Sequence, residues 1–154
     1  MKKITSVIAI VLLAALLLTG CDFIPLKQDF SQYGFTFTIA GEVTEKEENK
    51  AGYAVLYTKF GKMTFTKHNA ASALVAEGLL FGAGSKETLE NGAKFYTYNA
   101  KEDSAGSRVI ETHYFVGATD GSTWEITCVT PESDYDKDAL LKVYSTVEFV
   151  VTTE

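Results

Sequence analysis

Two runs of alternating residues meet at Thr119-Asp120-Gly121, and no other feature limits the fold so tightly. Arg108 to Val116 and Ser122 to Val129 alternate with a period of two, the pattern of half-buried strands. A three-residue hairpin loop wants a left-handed residue at its third position, and Gly121 supplies it. That loop pairs Ala118 with Ser122. The register then puts Ile110, Tyr114 and Val116 on one face with Trp124, Ile126 and Cys128. Glu111, His113, Phe115, Glu125 and Thr127 fall on the other face. A slip of one residue would flip every side chain, so the agreement of both strands supports this register.

The rest of the chain reads around that hairpin. Tyr33 to Ile39 is a strand with Phe35, Phe37 and Ile39 on its buried side. Gly41 to Lys50 is a charged loop without the ligand spacing of a calcium loop. Tyr53 to Thr58 and Lys62 to Lys67 are strands around Lys59-Phe60-Gly61. Asn69 caps a helix over Ala70 to Phe81, closed by Gly82. Only Ser72 and Glu77 are polar in that span, so the helix is buried on most sides or covers a partner. Asn91-Gly92 predicts a two-residue hairpin between Lys86–Glu90 and Ala93–Asn99, and Lys101 to Ser107 reads as a polar loop. Pro131 ends the sheet. Ser133-Asp134-Tyr135-Asp136 is a capping-box pattern before a helix with Ala139, Leu140, Val143 and Tyr144 at helical spacing. The expected architecture is α+β: a single compact domain over 33–151, mostly antiparallel β-sheet with two helices packed on it.

The first 20 residues have a different character. Lys2 and Lys3 precede an unbroken apolar run from Val7 to Leu18, 12 residues long. A spanning helix needs about 18 or more, so the run fits a secretory h-region. It ends at Leu18-Thr19-Gly20-Cys21. Charge pair, apolar run and box in this order resemble a bacterial lipoprotein signal peptide. The resemblance implies removal of residues 1–20 and a diacylglyceryl group on the sulfur of Cys21, the new N-terminus. Two acyl chains give stable anchoring where one is marginal. Residues 21–32 then read as a lipidated N-terminus and short tether. Without Lys2 and Lys3, 12 bases face 20 acids, a net charge of −8. Such a balance disfavours nucleic acid and anionic lipid surfaces, so anchoring rests on the lipid. Asp22 after the cysteine resembles an inner-membrane retention signal, and the sequence leaves inner versus outer membrane open.

From about Phe30 to Phe149 the chain resembles the PsbP-like/DcrB superfamily. The residues concerned are Tyr33-Gly34-Phe35-Thr36-Phe37-Thr38-Ile39 at the start, and Trp124-Glu125-Ile126-Thr127, Pro131, Tyr135, Leu140-Leu141, Val143, Ser145 and Phe149 at the end. Ala40-Gly41 stands where that family often has proline, and three residues separate Ser145 from Phe149 where it often joins Ser to Phe. The resemblance implies an α/β/α sandwich and a non-catalytic accessory, assembly or binding role.

Familiar catalytic signatures are missing from the sequence. There is no Gly-x-Ser-x-Gly elbow, and Gly82-Ala83-Gly84-Ser85-Lys86 lacks the order of a phosphate loop. His68, His113 and Cys128 stand apart, without zinc-ligand spacing. His68 reads as an exposed residue flanking the helix. Cys128 reads as a small core hydrophobe, with a reactive thiol as the alternative. Glu111, His113, Glu125 and Thr127 share a face and could serve acid–base work, or simply pair across strands. Tyr53, Tyr57, Tyr96, Tyr98 and Tyr114 pack the sheet or line an apolar pocket. The expectation is a membrane-anchored, extracytoplasmic lipoprotein, not an enzyme, with no cofactor, no metal site, and lipidation at Cys21. Its partner would be another envelope protein. A small-molecule or lipid carrier is the alternative, and an unrecognised hydrolase the second.

Overall fold

Hairpin-joined strands with one face apolar must find a second layer to cover that face, and this chain covers it with its own two ends. The computed structural model describes residues 24–80 and 84–150. The leader, Cys21, Phe81 and Gly82 lie outside these residues, as do 151–154. In chain order the elements are β1 (Pro25–Phe30), β2 (Phe35–Ala40), β3 (Thr44–Glu45), β4 (Tyr53–Thr58), β5 (Gly61–His68), α1 (Ala70–Gly78), β6 (Ser85–Thr88), β7 (Lys94–Thr97), β8 (Lys101–Glu102), β9 (Arg108–Gly117), β10 (Thr123–Pro131), α2 (Lys137–Tyr144) and β11 (Glu148–Phe149). The large sheet runs β3-β4-β5-β10-β9-β7-β6, with β8 also on β9. The small sheet runs β1-β2-β11. Every pairing is antiparallel, and the chain is α+β as expected.

The central register is the one the loop dictates. Trp124 faces Val116, Ile126 faces Tyr114, and Thr127 faces His113. The small sheet packs onto the Trp124–Ile126–Cys128 face. Phe35 of β2 stacks on Phe65 of β5 at 4.0 Å between ring centroids and meets Trp124 edge-on. Helix α2 covers the same face beside it, with Tyr144 stacked on Tyr114 at 4.9 Å. Helix α1 lies on the opposite face, where Leu80 packs with Tyr96 and Phe115.

Several boundaries differ from the sequence reading, each for a local reason. The tether assigned to 21–32 contains β1, which pairs with β2 from Pro25↔Ala40 to Phe30↔Phe35. Lys27-Gln28-Asp29 hides its alternation, but Phe30 is buried between Phe35 and Phe37. Pro25, the first residue of an edge strand, removes no needed donor. The Asn91-Gly92 hairpin turns on three residues, not two: Leu89 N–H bonds to the Ala93 carbonyl around Glu90-Asn91-Gly92. Only Gly92 has positive φ, 79°, whereas a two-residue type I′ turn needs two such residues. Asn91 holds the turn instead, accepting from Ala93 N–H and donating to the Tyr114 hydroxyl. The polar loop at Lys101 to Ser107 is a hairpin of the same design, with β8 paired to Val109 and Arg108. The charged 41–50 loop contributes the short strand β3. Asp136, the last residue of the capping pattern, caps α2 by accepting from Ala139 N–H.

Helix α1 departs furthest from expectation. Asn69 caps it, accepting from Ser72 N–H at 2.9 Å. Ala73 and Leu80 are buried and Ala76 and Glu77 half-buried, all turned towards the sheet. Ala71, Leu74, Val75, Gly78 and Leu79 form the opposite face, at the i, i+3, i+4, i+7, i+8 positions of one stripe, and all are exposed. Leu74, Val75 and Leu79 are 72%, 64% and 77% exposed. Ala73, Ala76 and the one charge face in with Leu80, and Leu74, Val75 and Leu79 face out.

Candidate functional site

The polar face of the central hairpin carries the densest ionisable cluster among the described residues. Alternation on β9 and β10 places Glu111, His113 and Glu125 on this face, and the antiparallel register brings them side by side. Glu125 sits between two imidazoles: Oε1 lies 2.7 Å from His113 Nδ1, and Oε2 lies 2.8 Å from His68 Nε2. His113 Nε2 faces Glu111 Oε1 at 3.1 Å. Glu111 in turn holds Lys101 of β8. The Tyr98 ring meets the His113 ring edge-on. The array runs across β8, β9, β10 and β5 in one line. The side chains of His68, His113 and Glu125 are 14%, 10% and 13% exposed.

Hydrogen-bond chemistry restricts this array. A carboxylate only accepts, and a neutral imidazole has one N–H. Both ring nitrogens of His113 face carboxylate oxygens. Both contacts are hydrogen bonds together only when His113 carries both protons or one of the two carboxyls carries one. Burial pushes the Glu125 carboxyl up, but the bonds from His113 and His68 outweigh it and hold it below the ordinary glutamate range. Glu111 behaves alike: burial raises it, and Lys101 and His113 bring it below normal. The array is built to keep two carboxylates ionised on a largely covered face.

Of the sequence candidates, Glu111, His113 and Glu125 are brought together and Thr127 stands at the margin. Thr127 Oγ1 lies 3.4 Å from His113 Nδ1, too long for an activated hydroxyl. His68 corrects the reading of an exposed flanking residue. It closes β5, pairs with Thr123, and turns in to Glu125. A histidine one position before a helix cap gives no periodic signal; only the β5–β10 register reveals it. No three His, Cys, Asp or Glu side chains among the described residues form a group that could hold a metal ion.

Cys128 is fully buried on the other face, its Sγ 3.3 Å from Thr130 Oγ1. Burial pushes its thiol up to about 11. In a Cys21→Ser chain, whose one thiol is Cys128, modification by a disulfide reagent at neutral pH is expected to be on the order of a hundredfold slower than in denaturant, or more. Comparable rates in the two states would show that the thiol is accessible.

The tyrosines spread over separate tasks. Tyr114 is core, Tyr98 meets His113, and Tyr57 donates to Glu47. Tyr96 donates to Glu77, which also holds Lys94 and Lys86 and so fixes α1 to the sheet. A groove of about 890 Å³ opens beside His68. It lies between the 48–53 turn and the end of β5, and Tyr53 is its one aromatic wall. A smaller groove of about 360 Å³ runs along α1, between Ala70, Ala73 and Leu74 and a floor of Phe115, Gly117 and Gly92.

Neither a family model nor a curated protein matches this sequence. Among the described residues no helix is long and apolar enough to cross a membrane.

Proposed function

We propose that the chain is a membrane-anchored extracytoplasmic lipoprotein whose single domain is a non-enzymatic protein-binding module of the cell envelope. One observation carries the binding role: the outward stripe of Leu74, Val75 and Leu79 on α1. Burying three such side chains would stabilise by several kcal/mol, at about 1.5–3 kcal/mol each, and the domain's own fold leaves them in water. Exposed apolar stripes of this kind mark interaction sites. The ion-paired array on the hairpin acts in this reading as a clamp across four strands that stiffens the platform under α1. Two helices on opposite faces of an antiparallel sheet are in keeping with an α/β/α arrangement of the PsbP-like kind.

The anchor is tested separately. Cells supplied with labelled palmitate should yield a labelled protein in the membrane fraction. The Cys21→Ser variant should carry no label, and should be found free of the membrane or as a larger precursor. A Cys21→Ser protein of mature size that stays with the membrane would end the lipoprotein reading.

A further inference from the structure

We infer that the α1 stripe and the groove beside it seat an apolar helix of another envelope protein, and not the bilayer or a second copy of this chain. The inference rests on the anchored reading above, and it follows from where the described chain begins. Pro25 pairs with Ala40, and the adjacent Gly41 lies against Lys59, in the β4–β5 turn. Helix α1 leaves from His68, at the far end of β5. At about 3.3 Å per residue, the eight residues of β5 put the two ends roughly 26 Å apart. The two ends also lie on opposite sides of the large sheet, since β1 belongs to the layer over Phe65 and α1 to the layer over Phe115. Packed layers are about 10 Å apart.

Three residues, Asp22 to Ile24, separate Cys21 from β1, so the four steps from Cys21 to Pro25 reach at most about 14 Å. A bilayer that holds Cys21 therefore meets the Pro25 end of the domain. Laying α1 on that bilayer would lift Pro25 farther from it than these residues reach.

Shape and charge select among proteins. The surface is a ridge, Ala71 to Leu79, beside a groove whose floor includes Gly92 and Gly117. A side chain built at either glycine would meet nothing within 4 Å. A ridge beside a groove is complemented by another helix with an apolar stripe, as in helix-in-groove recognition. The stripe itself carries no charge. A net charge of −8 on the mature chain opposes self-association. Five residues also fall well short of the roughly 20 a side that a stable dimer uses. The charged residues that line the groove, Glu77 and Lys94, pair with each other, so the seated helix is apolar along the stripe that meets α1.

The test uses the full-length, lipid-anchored protein in intact envelopes, with a photo-crosslinking side chain at position 74, 79 or 123, or at 24. The expected result is one heterologous adduct of the same mass from 74, 79 and 123. Leu79→Asp, paired with crosslinkers at 74 and 123, should cut it more than tenfold. Its melting temperature should be nearly unchanged, because Leu79 is 77% exposed. Position 24 should yield lipid adducts. Lipid adducts from 74 and 79, adducts of twice the chain's mass, or a heterologous adduct insensitive to Leu79→Asp would each overturn the inference. Palmitate labelling of the same samples reports the anchor independently, so loss of the anchor and loss of the partner are told apart.

Discussion

Phe65→Ala should destabilise the domain by about 3–5 kcal/mol, a large part of the 5–15 kcal/mol typical of a domain. Phe65 is 1% exposed and its ring is a central point of contact between the two sheets. It stacks on Phe35 with planes 7° apart and lies 5.6 Å from Phe37. Its neighbours across the sheet are Ala54 and Ile126. Ala54 has no bulk to fill the space left, and the aromatic rings of β2 are held by β1 and β11 and do not collapse into it. Loss of stacking and a residual cavity therefore add. At about 2–4 °C per kcal/mol for a chain of this size, the melting temperature should fall by roughly 10 °C. Phe65→Leu, which keeps more of the volume, should lose about 1.5 kcal/mol or less. Denaturant melts decide it, and a loss for Phe65→Ala below about 1 kcal/mol would mean the sheets are not joined through this ring.

The second large effect is expected at Glu125. Removing its carboxylate in Glu125→Ala takes the shared acceptor from two imidazoles at once. Hydrogen bonds to charged groups contribute about 1.5–3 kcal/mol, so a loss of roughly 2–3 kcal/mol is expected. The pH dependence gives a sharper reading. Glu125 and Glu111 hold their protons less tightly in the folded chain than an ordinary glutamate, whose value is 4.5. The unfolded chain then binds more protons in acid. Their contribution is complete above about pH 4.5 and is lost as pH falls below it. Glu125→Gln, which keeps the shape and removes the charge, should show a shallower acid decline in urea melts between about pH 3 and 7. Amide exchange at Asn69 to Ser72 should also rise in Glu125→Ala, since His68 is the last strand residue before the α1 cap. A Glu125→Ala protein with wild-type stability and acid sensitivity would show that the array does not hold the strands together.

How much of this was legible in the residues depends on how local each determinant is. The β9–β10 register follows from one glycine and two alternating runs, and with it the convergence of Glu111, His113 and Glu125. The helix at Asn69 follows from its cap. What escaped was decided at long range. Strand β1 carries lysine, glutamine and aspartate in sequence, and only Phe30 reveals its packing. The role of His68 depends on β5 lying beside β10, which no spacing in the sequence fixes. Helix α1 was readable as apolar but not as reversed. Which side faces in is set by Glu77 reaching Lys94, Lys86 and Tyr96, three residues on strands that follow it. For a helix apolar almost all round, the half-buried bonds of Glu77 outweigh the difference between burying alanines and burying leucines.

The small sheet joins residues more than a hundred positions apart: β2 is flanked by β1 from the beginning of the domain and by β11 from its end. Thr146 also bonds the backbone of Thr38 in both directions. In the large sheet β3 to β5 and β6 to β10 each join neighbouring segments and only the β5–β10 pairing is distant, whereas the layer that seals its apolar face waits for residue 149. Folding of this kind ends with its longest loop closure, the slow step in chains rich in distant contacts. A chain that emerges N-terminus first leaves that layer open until Phe149 is out. Such timing makes Glu148 and Phe149, remote from α1 and the ionised array, the residues that commit the domain to its native form.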